Sequence, residues 1–167
     1  MRYSIVYSSN TGNTRQLAQE IEKQIPAQDL AYCGVPDQAA LQADVLFVGF
    51  WTDKGSCDEK VAEFLKQTEG KKVYLFGTAG FGQSQQYFDQ ILARVRENLP
   101  ESAVYGGGFM CQGRMPQAVR NRYEAMQAKE PENPRYKMLI ENFDAALAHP
   151  GEDDLKSAAD WAKSCQA

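Results

Sequence analysis

Two periodicities alternate along the chain. Residues 2–7 (RYSIVY) step between apolar and polar positions and are rich in β-branched and aromatic side chains, which predicts a strand. After Thr14, the residues Leu17, Ala18, Ile21 and Ile25 recur at helical spacing, and Pro26 ends the run. Residues 29–33 (DLAYC) predict a weak second strand. Residues 44–50 (DVLFVGF) are nearly all apolar, the pattern of a strand covered on both faces. Val61, Phe64, Leu65 and Thr68 mark the next helix, and residues 72–77 (KVYLFG) another buried strand. Phe88, Ile91, Leu92, Val95 and Leu99 form a helical stripe closed by Pro100. Residues 103–110 (AVYGGGFM) predict a fifth strand, weakened by its glycines.

Strands that alternate with helices in this way predict an α/β fold, a doubly wound five-stranded parallel sheet with helices on both faces. The last third departs from simple alternation. Val119, Tyr123 and Met126 form one helical stripe; Tyr136, Leu139, Ile140, Phe143 and Leu147 form another, with EPENP (residues 130–134) between them. These predict a helical insertion after strand 5, at about residues 111–150. A closing helix follows, with Leu155, Ala158, Ala159 and Ala162 on one face. No repeat or linker interrupts the chain, so residues 1–167 are expected to form a single domain.

Composition narrows the function. Hydrophobic residues make up 43% and charged residues 24%, ordinary for a globular protein. No apolar run approaches a membrane span, and the N-terminus lacks a signal-peptide pattern, so a cytoplasmic protein without membrane contact is expected. The net charge of −4 offers no footprint for nucleic acid. Within it, residues 114–137 carry six basic and three acidic side chains, a local excess of three positive charges. The four cysteines are scattered without a C-x-x-C pair, and the single histidine, His149, cannot build a multi-histidine metal site.

The most informative stretch is SSNTGNT, residues 8–14, between the first strand and its helix. In open parallel sheets, ligands bind outside the carboxyl ends of the strands. The first amides of a helix lack intrahelical partners and, with the helix dipole, favour an anion such as phosphate. Ser8, Ser9, Asn10, Thr11, Asn13 and Thr14 add short donors, and Gly12 permits a close approach or a positive φ. The loop lacks the Gly-Lys-Ser/Thr ending of a nucleoside-triphosphate loop and the G-x-G-x-x-G of a dinucleotide fingerprint. A compact, neutral, hydroxyl-rich cradle suits one terminal phosphate monoester, such as that of FMN. The plain alternative is a polar turn capped by Thr11 or Asn13.

Two more strand ends carry related chemistry. FWTDKGSCDEK (residues 50–60) places Phe50, Trp51 and Thr52 at one, with Gly55 beyond. GTAGFGQS (residues 77–84) places Thr78, Ala79, Gly80, Phe81 and Gly82 at the next. Aromatic walls on glycine-permissive loops suit a flat aromatic ligand. The alternative is that Trp51 and Phe81 are core aromatics.

In this order the segments resemble the flavodoxin family. The resemblance covers nearly all of residues 1–110 and the closing helix, and residues 9–14 match the family's S/T-x-T-G-x-T pattern. More narrowly, VGFWTDKGSCDEK, GTAGFG and FMCQGRMP are similar to the small flavodoxin-like proteins of bacterial bilirubin-reducing operons. The resemblance implies strand order 2-1-3-4-5, non-covalent FMN and one-electron transfer. It implies that residues 8–14 hold the phosphate, that Trp51 stacks on the isoalloxazine, and that the loop after strand four binds the pyrimidine edge through its backbone. The family often places a Tyr on the second flavin face; the matching positions here are Ser84 or Gln85, so Phe81 or an insertion residue is expected to take that place. Gly55 is the expected hinge for a carbonyl near the flavin N5, and few cations are expected nearby. Cys57 is assigned no chemistry. The CQGRMP segment is expected to cover the flavin edge, with Arg114 and Met115 nearest, and Arg114, Arg120 and Arg122 to steer a docking partner; the plain alternative is a solvated helical hairpin that only lengthens the connection.

The favoured function is an FMN electron carrier that docks on a partner reductase. One alternative is an NAD(P)H-dependent FMN enzyme acting on quinones or other small molecules; the lack of a second dinucleotide fingerprint weighs against it. Another is a flavin-free interaction module, which the intact phosphate loop weighs against.

Overall fold

The structure, a computed structural model, describes residues 1–82 and 84–167. Five strands run parallel: β1 (Tyr3–Tyr7), β2 (Leu30–Gly34), β3 (Val45–Asp53), β5 (Lys72–Ala79) and β6 (Val104–Gln112), in the order β2-β1-β3-β5-β6. A two-residue strand, β4 (Ser56–Cys57), pairs antiparallel with the end of β3. The five-strand path is the expected one; the addition is this hairpin. Its turn residues Lys54 and Gly55 have φ of 52° and 82°. Positive φ at both central positions is the primed turn geometry that matches strand twist. β3 therefore runs three residues past its expected end and carries Trp51, Thr52 and Asp53 within a strand rather than a loop.

Side chains of the central strands alternate between two cores. Val6, Leu46, Val48, Phe50, Val73 and Leu75 meet α2 (Glu59–Leu65) and α3 (Gln85–Arg96) on one face. Ile5, Val45, Phe47, Tyr74 and Phe76 meet α1 (Asn13–Lys23) and α6 (Glu152–Cys165) on the other. Trp161 of the closing helix α6 seals the second core, edge-on to Phe47 and Tyr74 and stacked on Phe109. Two-sided burial of this kind explains the near-continuous apolar runs in β3 and β5.

Between β6 and α6 stand α4 (Gln117–Lys129) and α5 (Pro134–Ala146). β6 extends through Gln112, so Cys111 and Gln112 belong to the sheet and the insertion starts at Gly113. α4 and α5 pack against each other, and Arg120 of α4 donates to both carboxylate oxygens of Asp144 on α5, at 2.9 and 3.1 Å. α5 is pinned to the sheet by Asn142, which donates to the Gly80 carbonyl at 3.0 Å and accepts from Gln112 at 3.2 Å. No helix among the described residues is long and apolar enough to cross a membrane.

Candidate functional site

The loops after β1, β3, β5 and β6 converge on one cavity of about 460 Å³. That volume lies within the range of small-molecule sites, about 300–1,000 Å³. Its floor is the carboxyl edge of the sheet, and its cover is the segment Gly113 to Pro116 with the first turns of α4.

The first loop ends in an open helix N-terminus. Gly12 is the N-cap residue of α1 at φ 89°, ψ −4°, with no side-chain cap. A Cβ there would meet nothing, so the glycine is required by conformation rather than by space. The Ser9 hydroxyl folds the loop back on itself by accepting from the Gly12 amide at 3.1 Å and the Arg15 amide at 3.4 Å. Among the described residues, no hydrogen-bond acceptor serves the amides of Thr11, Asn13 and Thr14. Neither Thr11 nor Asn13 caps the helix. Both side chains instead donate to the Arg114 carbonyl, at 3.3 and 2.7 Å, which fastens the cover to the loop. Asn13 Oδ1 is left buried without a partner, an open acceptor beside the free amides.

Not every residue of the motif faces the cavity. Asn10, Thr11 and Asn13 line it. Thr14 does not. Its hydroxyl is fully buried, within hydrogen-bond distance of the Phe50 carbonyl (3.1 Å) and of the Thr78 hydroxyl (3.2 Å), so it ties α1 to β3 and β5. The expectation that this hydroxyl faces a ligand is corrected on that geometry. Ser8 pairs its amide with the Gly49 carbonyl at 3.1 Å and sets its hydroxyl beside Asp58. That hydroxyl partly offsets the burial that raises the Asp58 pKa, yet neither carboxylate oxygen has a partner in hydrogen-bond geometry.

The aromatic positions divide in the same way. Trp51 lines the cavity from β3, half-buried, rather than joining the core. Phe50, one residue earlier, points the opposite way and is fully buried against α2 and α3. Phe81 stands 39% exposed at the cavity mouth. Thr52 donates to the Thr78 carbonyl at 2.8 Å, joining β3 to β5 beneath the site. Thr78, Ala79 and Gly80 line the cavity. The Gly80 carbonyl is engaged by Gln112 (2.9 Å) and Asn142, so it is not available to a ligand. Gly82 is where the loop passes Gln112: a Cβ there would lie 2.4 Å from Gln112 Cβ, so its role is packing. Gln83 of the same loop lies outside the described residues. The Gly55 carbonyl accepts from Arg94 Nη1 at 3.1 Å, so the hairpin tip is latched to α3.

Ser84 N-caps α3 through the Tyr87 amide, and Gln85 is bonded to Asp89; neither lines the cavity. Tyr87 and Tyr123 do. Sequence reasoning missed Tyr87 because it sits one turn inside a helix, beside the core stripe beginning at Phe88. It read Tyr123 only as packing between insertion helices. Arg114, Met115 and Pro116 line the cavity, and a Cβ at Gly80 would lie 2.6 Å from the sulfur of Met115. The expectation of few cations is overturned: Lys54, Arg114 and Arg122 line the cavity against one carboxylate, Asp53. Arg120 is corrected as well, since its guanidinium is committed to Asp144 and Glu124.

The thiols stay protonated. Burial, with the neighbouring Asp58 charge, pushes Cys57 up to about 11. Burial likewise holds Cys33 at about 12, Cys165 at about 11, and Cys111 higher still.

Comparison with known proteins agrees with this architecture. A flavodoxin domain family model matches residues 4–163. Over 173 residues the chain is 39% identical to a flavodoxin-like domain-containing protein BilS of Clostridium symbiosum (strain WAL-14163), covering 93% of this chain and 90% of that protein. A protein of the same name from Clostridioides difficile (strain CD3) is 29% identical over 171 residues, covering 98% and 96%. Among solved structures, oxidised flavodoxin 2 from Bacillus cereus superposes with a TM-score of 0.61 at 17% identity, covering 99% of this chain and 98% of that one.

Proposed function

The chain belongs to the flavodoxin family, and from that premise we propose that it binds FMN non-covalently in the cavity at the sheet edge and passes electrons to a partner reductase. The observation that carries this reading is the open N-terminus of α1, with free amides at Thr11, Asn13 and Thr14 and the orphan acceptor Asn13 Oδ1 beside them. Amides at a helix start suit a phosphate, and the acceptor suits a hydroxyl of the polyol that bears it. The residues present therefore fit FMN.

When bound, FMN supplies the redox chemistry. The chain's own residues hold and shield it. The free amides of Thr11, Asn13 and Thr14 would receive the phosphate, Trp51 would provide an aromatic wall, and Gly113 to Pro116 would restrict water over the mouth. The cavity meets the surface at Phe81, which gives a partner access to the edge of the site. The similarity of VGFWTDKGSCDEK and FMCQGRMP to proteins of bilirubin-reducing operons makes a bilirubin-reducing enzyme the first partner to test. An anaerobic titration with NADPH, followed in the visible spectrum, tests the carrier role. The flavin should stay oxidised with NADPH alone, and chemically reduced protein should be reoxidised by bilirubin only when the reductase is added. Rapid bleaching by NADPH alone would identify a stand-alone oxidoreductase instead.

A further inference from the structure

A second cavity, of about 600 Å³, opens on α5 beside the first. Its volume also lies within the range of small-molecule sites. Phe81 lines both cavities. α5 is apolar on two sides. Tyr136, Phe143 and Ala146 are buried, whereas Pro134, Met138 and Leu139 line the second cavity, with Met138 67% exposed. Single exposed apolar side chains are ordinary, but Met138 and Phe81 face one concavity.

The walls are held in place without an occupant. Asn142 is buried and lines the cavity, and its donation to the Gly80 carbonyl at 3.0 Å ties α5 to the residue just before Phe81. The start of α5 is fixed as well: the Asn133 side chain accepts from the Arg135 amide at 3.0 Å, and the Tyr136 hydroxyl donates to Glu130 at 2.9 Å.

Charge gives the cavity a direction. Arg135 and Glu141 line it, and among the described residues neither makes an ion pair. Six residues apart on one helix, they stand about 9 Å from each other along its axis. An acidic group is drawn to the Arg135 end, whose planar guanidinium matches a carboxylate, and repelled from the Glu141 end.

We propose that this cavity is a second ligand site for a flat, apolar organic molecule with one acidic group, its rings against Met138, Leu139 and Phe81 and its acidic group at Arg135. An occupant lies one side chain, Phe81, from the cofactor cavity, a placement that suits an electron acceptor. That use rests on the FMN reading; the binding does not.

The test titrates the full-length FMN-loaded protein with 2-naphthoate and with its uncharged counterpart 2-naphthamide, followed by amide NMR. Both should give saturable shifts in α5 and at Gly80 and Phe81, with 2-naphthoate tighter by about two- to fivefold. Arg135→Gln should remove that difference and leave 2-naphthamide unchanged. Met138→Glu should weaken both probes on the order of tenfold. Arg135 and Met138 are exposed, and Gln and Glu favour helix, so both variants should fold. Leu147→Glu, at the exposed end of α5 outside the cavity, should change neither affinity. The proposal is overturned by the absence of saturable shifts in α5, by unchanged affinities in Met138→Glu, or by an equal loss in Leu147→Glu. An Arg135→Gln protein that keeps the preference for 2-naphthoate also overturns it, as does release of FMN by the probe, which would place the probe in the cofactor cavity. A protein that takes up no FMN overturns the FMN reading alone, because the same titrations of the protein as purified still decide this one.

Discussion

Thr11 and Thr14 belong to one motif and do different work. Thr14 is sealed between three elements, and its hydroxyl meets the Phe50 carbonyl and the Thr78 hydroxyl. Thr14→Val keeps the shape and strips those partners. A buried polar group left unsatisfied costs about 1–3 kcal/mol, and each kcal/mol lowers Tm by about 2–4 °C in a domain of this size. Thr11→Val removes the hydroxyl that ties the loop to the Arg114 carbonyl at the cavity rim, and should leave Tm within a degree or so while weakening FMN. Thermal melts of both variants, with FMN affinity measured alongside, check the division. A Thr14→Val protein with unchanged Tm would return Thr14 to the ligand. The motif itself was legible, because residue types and spacing identify a strand-to-helix turn. Which of its hydroxyls turn inward was not, because inward and outward orientation depends on where β3 and β5 lie.

At the scale of elements, helical periodicity located the six α-helices among the described residues, and alternation or continuous apolar runs located the five parallel strands; the short 3-10 turns at Ala27–Asp29 and Gln38–Gln42 were not read. The sequence pattern missed β4 and stopped β3, β5 and β6 early. At the carboxyl edge polar residues such as Thr52 and buried Thr78 sit in the ladder, satisfied by hydrogen bonds that join Thr52 to the Thr78 carbonyl and the Thr78 hydroxyl to Thr14. The hairpin signal was present in DKGS, where Gly55 permits a positive φ. The insertion shows the same split. Its two apolar stripes were readable, but the role of Arg120 required both helices in place. Arg120 joins α4 to α5 through Asp144, with Glu124 one turn along α4. Arg120→Gln should therefore speed amide hydrogen exchange in α4 and α5 and leave the sheet amides unchanged. Unchanged exchange in those helices would show that apolar packing alone holds them, and that the ion pair is a surface pair of little consequence.

For the molecule as a whole, a parallel sheet supplies a rigid edge, four loops converge on it, and an insertion closes the mouth. The insertion also supplies two of the three cations at the site, so local charge departs from the acidic average, in keeping with the excess of positive charge over residues 114–137. The central claim is that this cavity holds FMN through the α1 amides and the polar loop. It is tested most directly by releasing the cofactor of the purified full-length protein with heat, then identifying and counting it by mass spectrometry and absorbance. The account predicts FMN at close to one per chain, with Thr11→Val holding less after dialysis. FAD at that stoichiometry, or a colourless protein that takes up no added FMN, would contradict it.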